Sequence, residues 1–222
     1  MSNKKPRTGR HFRNEWKYCV SERTAQIICH RLAGVLEKDP HAGADGSYRV
    51  SSLYFDDIGN TCAFENEAGE RARFKYRIRR YGSDGEHLYL ERKEKLDSLC
   101  LKEKCALTPD EFDEILGERF DRLVFAPDKP LLSRFCTDAM CRCFRPKSIV
   151  NYDRTALIDE FYDIRITFDR FIRTSFDFPN FLSGDYCELP VTQDDRVIME
   201  FKFDEAAPSY ITWAGVTARH LN

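Results

Sequence analysis

The sequence contains no long hydrophobic run and no apolar segment near its amino terminus. A membrane-spanning helix needs about 20 consecutive, mostly apolar residues, and no part of the 222 residues approaches that length. The opening stretch MSNKKPRTGR is polar and basic, unlike a secretory signal. We therefore expect a cytoplasmic protein in which residues 1–10 form a flexible basic tail and residues 11–222 form one domain.

The nine cysteines lack the C-x-x-C spacing that is typical of zinc and redox sites. Their scattered positions favour reduced structural thiols over a thiolate metal centre. The chain also lacks an excess of basic residues, because its net charge is −2. A nucleic-acid-binding surface is disfavoured, since it normally combines a basic excess with stacking aromatic residues. Any basic site must therefore arise from local segregation of charge.

Such segregation occurs in residues 71–95, which read RARFKYRIRRY, a Gly-flanked polar turn, and LYLERKEK. From residue 73 to residue 79, every second residue is a cation, and the residues between are Phe74, Tyr76 and Ile78. Successive side chains of a β-strand point to opposite faces. The pattern therefore predicts a β-hairpin with one charged face and one apolar face. A row of cations without intervening acids repels itself, which favours a face that binds an anion.

The same alternation returns elsewhere in the chain. Further strands are expected at residues 11–20, 48–57, 99–107, 148–156, 163–170 and 196–204. Amphipathic helices are expected at residues 21–37, 109–120 and 131–144. These elements predict an α+β fold, a closed antiparallel β-barrel or tunnel with a polar, basic lumen and with helices packed on the outside. The alternative is an open sheet whose charged faces meet solvent.

Arginine and lysine dominate the faces that would line this lumen, and guanidinium groups suit bidentate phosphate binding. A linear chain of phosphates is the expected occupant. Four acids, Glu15, Glu91, Asp169 and Glu200, lie at strand centres among the cations. Carboxylates and phosphate oxygens together bind a hard divalent ion, so the four acids are candidate metal ligands, with Glu200 the best of them. A structural salt bridge to a lumen arginine is the alternative for Glu200.

Eight ordered motifs resemble the VTC domain, the polyphosphate polymerase branch of the triphosphate tunnel metalloenzymes. They are RNEWKY (13–18), SSLYFD (51–56), KYRIRRYG (75–82), LERKEK (90–95), LKEKCAL (101–107), NYDRTA (151–156), RITFD (165–169) and MEFKF (199–203). Each motif is short, but the set spans nearly the whole chain in order. The resemblance implies an antiparallel β tunnel, in agreement with the alternation.

The resemblance also implies transfer of the terminal phosphate of ATP onto a growing polyphosphate, with Mn²⁺ or Mg²⁺ in the tunnel. Glu200 matches the metal-binding glutamate of the family, and Tyr152 matches a phosphate-contacting tyrosine. Catalytic roles are expected for Lys17, Arg77, Arg79, Lys93, Arg154 and Arg165. Phosphate binding is expected at Arg13, Lys75, Lys95, Lys102, Lys104, Tyr152 and Lys202. A membrane protein that receives the product is a further implied partner.

Two departures from the family pattern bear on the activity. Hydrolase and cyclase branches open with an acid, any residue, an acid, any residue and a lysine, whereas Arg13 here replaces the first acid and leaves Glu15 and Lys17. This favours the polymerase branch. The sequence also ends in APSYITWAGVTARHLN instead of a Ser- and Lys-containing segment, so we expect a truncated chain or an incomplete wall. A tunnel hydrolase of triphosphate or short polyphosphate, and a non-catalytic module that senses polyphosphate or inositol phosphate, are the alternatives.

Overall fold

The computed structural model describes residues 14–81, 87–97, 99–191 and 195–203. Its strands are β1 (Asn14–Ser21), β2 (Glu37–Lys38), β3 (Ser47–Asp56), β4 (Ala72–Tyr81), β5 (His87–Leu96), β6 (Leu99–Leu107), β7 (Arg145–Asp159), β8 (Ile164–Ser175), β9 (Leu189–Pro190) and β10 (Arg196–Phe203). Its helices are α1 (Glu22–Leu32), α2 (Thr61–Glu67), α3 (Pro109–Leu116) and α4 (Pro130–Arg142), with a short 3₁₀ helix at Phe120–Arg122. The predicted tail, Arg13 and the carboxy-terminal segment after Phe203 lie outside the described residues.

The strands form one large antiparallel sheet in the order β1-β10-β8-β7-β3-β4-β5-β6. The two short strands join it at the side, β2 beside β7 and β9 beside β8. The predicted hairpin is present as β4 and β5, with Lys75 opposite Lys93 and Arg77 opposite Glu91. The mixed α+β fold with an antiparallel sheet is therefore confirmed.

The apolar faces of the strands pack outward under the helices in two separate clusters. Helices α3 and α4 cover the half of the sheet that contains β3, β4 and β5, where Leu53 and Ile78 pack with Phe135. Helix α1 covers the half that contains β1, β8 and β10, where Leu32 packs with Phe201. Because strand side chains alternate, the charged faces point to the opposite, concave side of the sheet.

Hydrogen bonds do not close this sheet in the described part of the chain, so the predicted closed barrel is not supported. β1 and β6 are its two edges, and no described backbone ladder joins them. Lys93 on β5 nevertheless donates to both carboxylate oxygens of Glu15 on β1, at 2.7 and 2.8 Å. A ladder needs strands about 4.8 Å apart, whereas lysine and glutamate side chains reach across a wider gap. The structure is a curled sheet whose seam is bridged by an ion pair.

The helix starts follow local chemistry that the sequence indicates. Ser21 caps α1 by accepting from the Thr24 amide at 3.1 Å, and Thr108 and Glu111 form a reciprocal capping box at α3. The helices end earlier than predicted, and α3 stops at Leu116 before a glycine. Among the described residues, no helix is both long and apolar enough to cross a membrane.

Helix α2 was not predicted. It is seven residues long, and a side chain from the preceding strand fixes its start: Asp56 accepts from the backbone amides of Cys62 and Ala63 at 2.9 Å. A helix held by such a tertiary contact has little periodicity of its own.

Candidate functional site

The concave side of the sheet, which we call the lumen face, collects nearly all the predicted site residues. Its charged members are Glu15, Lys17, Arg73, Lys75, Arg77, Arg79, Glu91, Lys93, Lys95, Lys102, Lys104, Arg154, Arg165, Asp169, Glu200 and Lys202. The register places them side by side on neighbouring strands, as in the row Lys75, Lys93 and Lys102. Arg13 belongs to the undescribed residues. The predicted cations therefore share one face, and they outnumber its acids.

Glu91 anchors the first group of cations. Its carboxylate accepts from Arg77 Nε at 2.8 Å and also pairs with Lys102. Glu91 is only 1% exposed. Burial alone would raise the pKa of Glu91, but the charges of Arg77, Arg79 and Lys102 outweigh it and lower the pKa to about 2. Glu91 is therefore ionised at neutral pH and fixes the direction of Arg77.

A second group links β3, β4, β7 and β8 through hydrogen bonds. Arg79 donates to Ser52 Oγ at 3.2 Å and to the Tyr152 hydroxyl at 3.1 Å. Arg154 donates to the same hydroxyl at 3.3 Å and holds both oxygens of Asp169. Arg79 and Arg154 therefore share the Tyr152 hydroxyl as an acceptor, and this shared contact holds their two guanidinium groups close together.

The third group combines two carboxylates with three lysines. Lys17 Nζ lies 2.8 Å from Glu200 and 3.7 Å from Glu15, so the two acids share one cation. Lys202 also contacts Glu200, and Lys93 contacts Glu15. Burial opposes ionisation of Glu200, yet Lys202, Lys17 and Lys93 lower its pKa well below the usual range. In the same way, Lys93 outweighs burial and repulsion from Glu200 and lowers the pKa of Glu15.

Some lumen cations have no acid at salt-bridge distance in the described part of the chain. Lys75 lies 5.6 Å from the centre of the Tyr54 ring and Lys104 lies 4.7 Å from that of Tyr89. The pKa of Lys75 is lowered by burial, with added repulsion from Lys93, Arg77 and Lys17. Desolvated cations without partners cost stability, and a bound anion would relieve that cost.

A cavity of about 150 Å³ opens where these cations are densest. Its lining includes Lys17, Arg73, Lys75, Lys93 and Lys95, with Glu15 as the acid. Side chains along the two edges are solvent-accessible: Lys17 is 51% exposed and Lys102 is 40% exposed. The lumen face is therefore open to solvent and strongly positive.

Arg165 lies at the start of β8, opposite Lys202 of β10. It donates to the Tyr48 hydroxyl at 2.8 Å and pairs with the buried carboxylate of Asp39. Asp39 also accepts from the His41 amide at 3.0 Å. The sequence prediction placed Arg165 among the catalytic residues, and the structure places it with Tyr48 and Asp39.

The four predicted metal ligands do not form one cluster. Glu15 and Glu200 lie together, but Glu91 and Asp169 are each bound by their own arginine, Arg77 and Arg154. The residues that the structure describes contain no group of three or more His, Cys, Asp or Glu side chains suited to a metal ion. Glu200 forms salt bridges, but its partners are Lys17 and Lys202 and not the lumen arginine of the alternative prediction.

Sequence reasoning missed several uncharged residues of this face. Ser52 and Tyr54 belong to the motif SSLYFD, and Tyr48 precedes it on the same strand. Each accepts a hydrogen bond from an arginine of the lumen face. Their period-two spacing on β3, in phase with the cations of β4, is the signal that identifies them.

The site is therefore the cationic concave face of a curled antiparallel sheet. The model of the VTC domain matches residues 12–218, so the chain belongs to the VTC domain family. No curated protein matches the chain in sequence.

Two solved structures share the fold at low identity. A proposed adenylate cyclase of Bacillus halodurans is 14% identical with a TM-score of 0.54, over 94% of this chain and 88% of that chain. HpAC1 of Hippeastrum, a proposed adenylyl cyclase described as having a dominant triphosphatase activity, is 13% identical with a TM-score of 0.52, over 87% of this chain and 80% of that chain.

Proposed function

We propose that the protein transfers the terminal phosphate of ATP onto a growing polyphosphate chain, with the lumen face as its active site. The observation that supports this most is the uneven neutralisation of the lumen cations. Four acids compensate part of the positive charge: Glu15, Glu91, Asp169 and Glu200. Lys75 and Lys95 line the cavity, and neither has an acid at salt-bridge distance among the described residues. A linear, multiply charged anion suits such a face better than a compact one.

Within this proposal, the arginines and lysines do the work of placement and charge neutralisation. Phosphoryl transfer depends on these more than on a protein nucleophile. Lys17, Arg77, Arg79, Lys93, Arg154 and Arg165 would hold the transferred phosphate and its neighbours. Arg13, Lys75, Lys95, Lys102, Lys104, Tyr152 and Lys202 would bind the rest of the chain. Glu91 and Asp169 would act by holding Arg77 and Arg154 in position.

The residues present fit a divalent ion of the Mg²⁺ or Mn²⁺ type. Mg²⁺ is commonly held by one or two carboxylates together with substrate phosphates, and Glu15 and Glu200 supply such a pair. Lys17, which bridges the two acids, would have to give way to the ion. When bound, the ion would neutralise charge on the phosphate oxygens. We propose Glu200 as the main ligand, because it matches the metal-binding glutamate of the VTC domain family.

Hydrolysis of triphosphate or short polyphosphate is the second candidate function. It is supported by the triphosphatase activity stated for HpAC1, whose fold this chain shares. The two reactions differ in whether water or a phosphate chain accepts the transferred group.

The test is incubation of the purified protein with ATP and Mn²⁺, followed by a gel that resolves phosphate chains. A ladder of growing length supports the polymerase, and release of inorganic phosphate alone supports the hydrolase. A parallel sample with chelator measures tripolyphosphate binding. Binding in chelator, combined with no product in Mn²⁺, would point to a non-catalytic module and overturn the proposal. Glu200→Gln, prepared identically, controls for contaminating kinases. A later assay with membranes would test the proposed membrane partner.

A further inference from the structure

Tyr54 occupies the centre of the lumen face and is surrounded by cations. It lies on β3 opposite Arg77 of β4. Its hydroxyl accepts a hydrogen bond from Arg77 Nη1 at 3.1 Å. Lys75 and the Arg77 guanidinium lie 5.6 and 5.9 Å from the centre of its ring.

The charged and titratable groups that face Tyr54 come from three strands. Lys75, Arg77 and Arg79 act on it from β4, and Lys17 interacts with it from β1. From β7, the neighbouring phenol is that of Tyr152. None of the acids in the described residues contacts the Tyr54 hydroxyl. The surrounding cations therefore stabilise the negative, ionised form of the Tyr54 oxygen.

The electrostatic consequence is a phenol that ionises easily. Burial alone would raise the pKa of Tyr54, but the charges of Arg77, Lys75 and Arg79 outweigh it and lower the pKa to about 7. Tyr152, which lies deeper and beside Asp169, has its pKa raised, chiefly by burial. The two tyrosines of the lumen face thus differ in their response to the same cations.

We propose that Tyr54 is a further phosphate-binding residue, and that its phenolic oxygen takes up one proton from solvent when a linear phosphate chain binds. This inference depends on the proposed function, because it assumes that phosphates occupy the lumen face. A bound phosphate neutralises the charge of Lys75, Arg77 and Lys17, and it repels the negative phenolate of Tyr54. The protonated hydroxyl can donate to a phosphate oxygen, which the phenolate cannot do. No bond to phosphorus forms or breaks in this step.

The direction of the pH dependence follows from linkage. The complex holds more protons than the free protein, so affinity falls as pH rises above the pKa of free Tyr54, about 7. At pH 8, one unit higher, about nine tenths of the free protein would carry the phenolate. Proton uptake by Tyr54 is therefore large near this pH.

Calorimetric titration of the full chain with tripolyphosphate, in chelator and at pH 8, tests the proposal. Repeating it in buffers of different ionisation enthalpy counts the protons taken up. The wild type should take up nearly one proton more than Tyr54→Phe. Tyr152→Phe is the matched control, and it should bind more weakly but keep the proton count of the wild type. Lysines also respond to the bound anion, but they do so in all three proteins and cancel in the comparison.

A second measurement does not depend on binding strength. The ultraviolet absorbance of the phenolate should decrease when tripolyphosphate is added to the wild type at pH 8, and it should not change in Tyr54→Phe. Equal proton counts in a binding-competent wild type and Tyr54→Phe would overturn the role of Tyr54 and leave the proposed function intact. Failure of the wild type to bind tripolyphosphate would overturn the proposed function and this inference together.

Discussion

Arg154 grips both oxygens of Asp169, with Nε 2.6 Å from Oδ1 and Nη2 2.7 Å from Oδ2. The two residues lie opposite each other on β7 and β8, and each side chain is only 10% exposed. Two parallel charged hydrogen bonds fix a guanidinium in both position and plane. The pair therefore sets the orientation of Arg154, and through Tyr152 that of Arg79.

We expect Asp169→Asn to destabilise the protein strongly. The change leaves the buried charge of Arg154 without its partner, which typically costs about 3–5 kcal/mol. Urea unfolding of the free protein measures this. Glu103→Gln is the matched control, because Glu103 pairs with Arg134 on the solvent side at 3.2 Å and should matter far less. A similar small effect for both changes would mean that the Arg154–Asp169 pair adds little to stability.

Removal of two lumen guanidinium groups should weaken phosphate binding. Arg77→Ala combined with Arg79→Ala is expected to reduce the binding free energy of tripolyphosphate by about 3–6 kcal/mol, at roughly 1.5–3 kcal/mol for each charged hydrogen bond. Calorimetric titration in chelator measures the change. Arg134→Ala removes a cation from the outer side and should bind like the wild type. Unchanged affinity in the double variant would exclude both arginines from the phosphate site.

Glu200→Gln should separate binding from turnover. The amide keeps the size of the side chain but loses the charge that a divalent ion requires. We expect metal-dependent turnover to fall by on the order of 100-fold or more, as for loss of other key electrostatic groups. Tripolyphosphate affinity in chelator should be unchanged or higher, because Lys17 and Lys202 lose a competing acid. Wild-type turnover in this variant would rule out Glu200 as the metal ligand.

The lumen acids should make the protein sensitive to low pH. Glu91 has a pKa of about 2 in the folded protein, against 4.5 for the free side chain. Its ionised form is favoured by folding, so its contribution is full above pH 4.5 and is lost as pH falls towards 2. This difference corresponds to on the order of 3 kcal/mol. Thermal melting between pH 6 and pH 3 should show a steep loss of stability.

Glu91→Gln provides the comparison for that pH series. This variant should be less stable than the wild type at pH 6, because Arg77 and Lys102 lose their anion. It should also lose less stability on acidification. Parallel melting curves for the two proteins would assign the acid sensitivity to other carboxylates.

Alternation along the chain was enough to predict the lumen face. Arg77 and Ile78 point to opposite sides because they are adjacent residues of one strand, and this holds whichever strands become neighbours. The apolar faces of the strands must be buried, and the predicted amphipathic helices can cover them. The α+β fold and the helix-covered outer faces could therefore be inferred without knowing the strand order.

The register of the strands and the distances between side chains could not be predicted from this alternation. Lys17 and Glu200 come from opposite ends of the sequence, and only the pairing of β1 with β10 shows that they form an ion pair. The sequence predicts Glu91 and Asp169 as metal ligands, but it cannot show that each of them pairs with an arginine. Tyr54 carries no formal charge, so a search for charged residues passes over it. Closure of the sheet likewise depends on how closely its two edge strands approach each other, and no local sequence pattern indicates that distance.

The lumen face and the two apolar clusters are separated by a single thickness of backbone. Glu200 reaches the lumen while its neighbours Met199 and Phe201 are fully buried in the cluster under α1. A substitution in this apolar cluster, away from the lumen face, would shift the backbone that carries Glu200. The packing of α1 therefore helps to set the position of Glu200, because α1 packs against the strand that carries this residue on its other face.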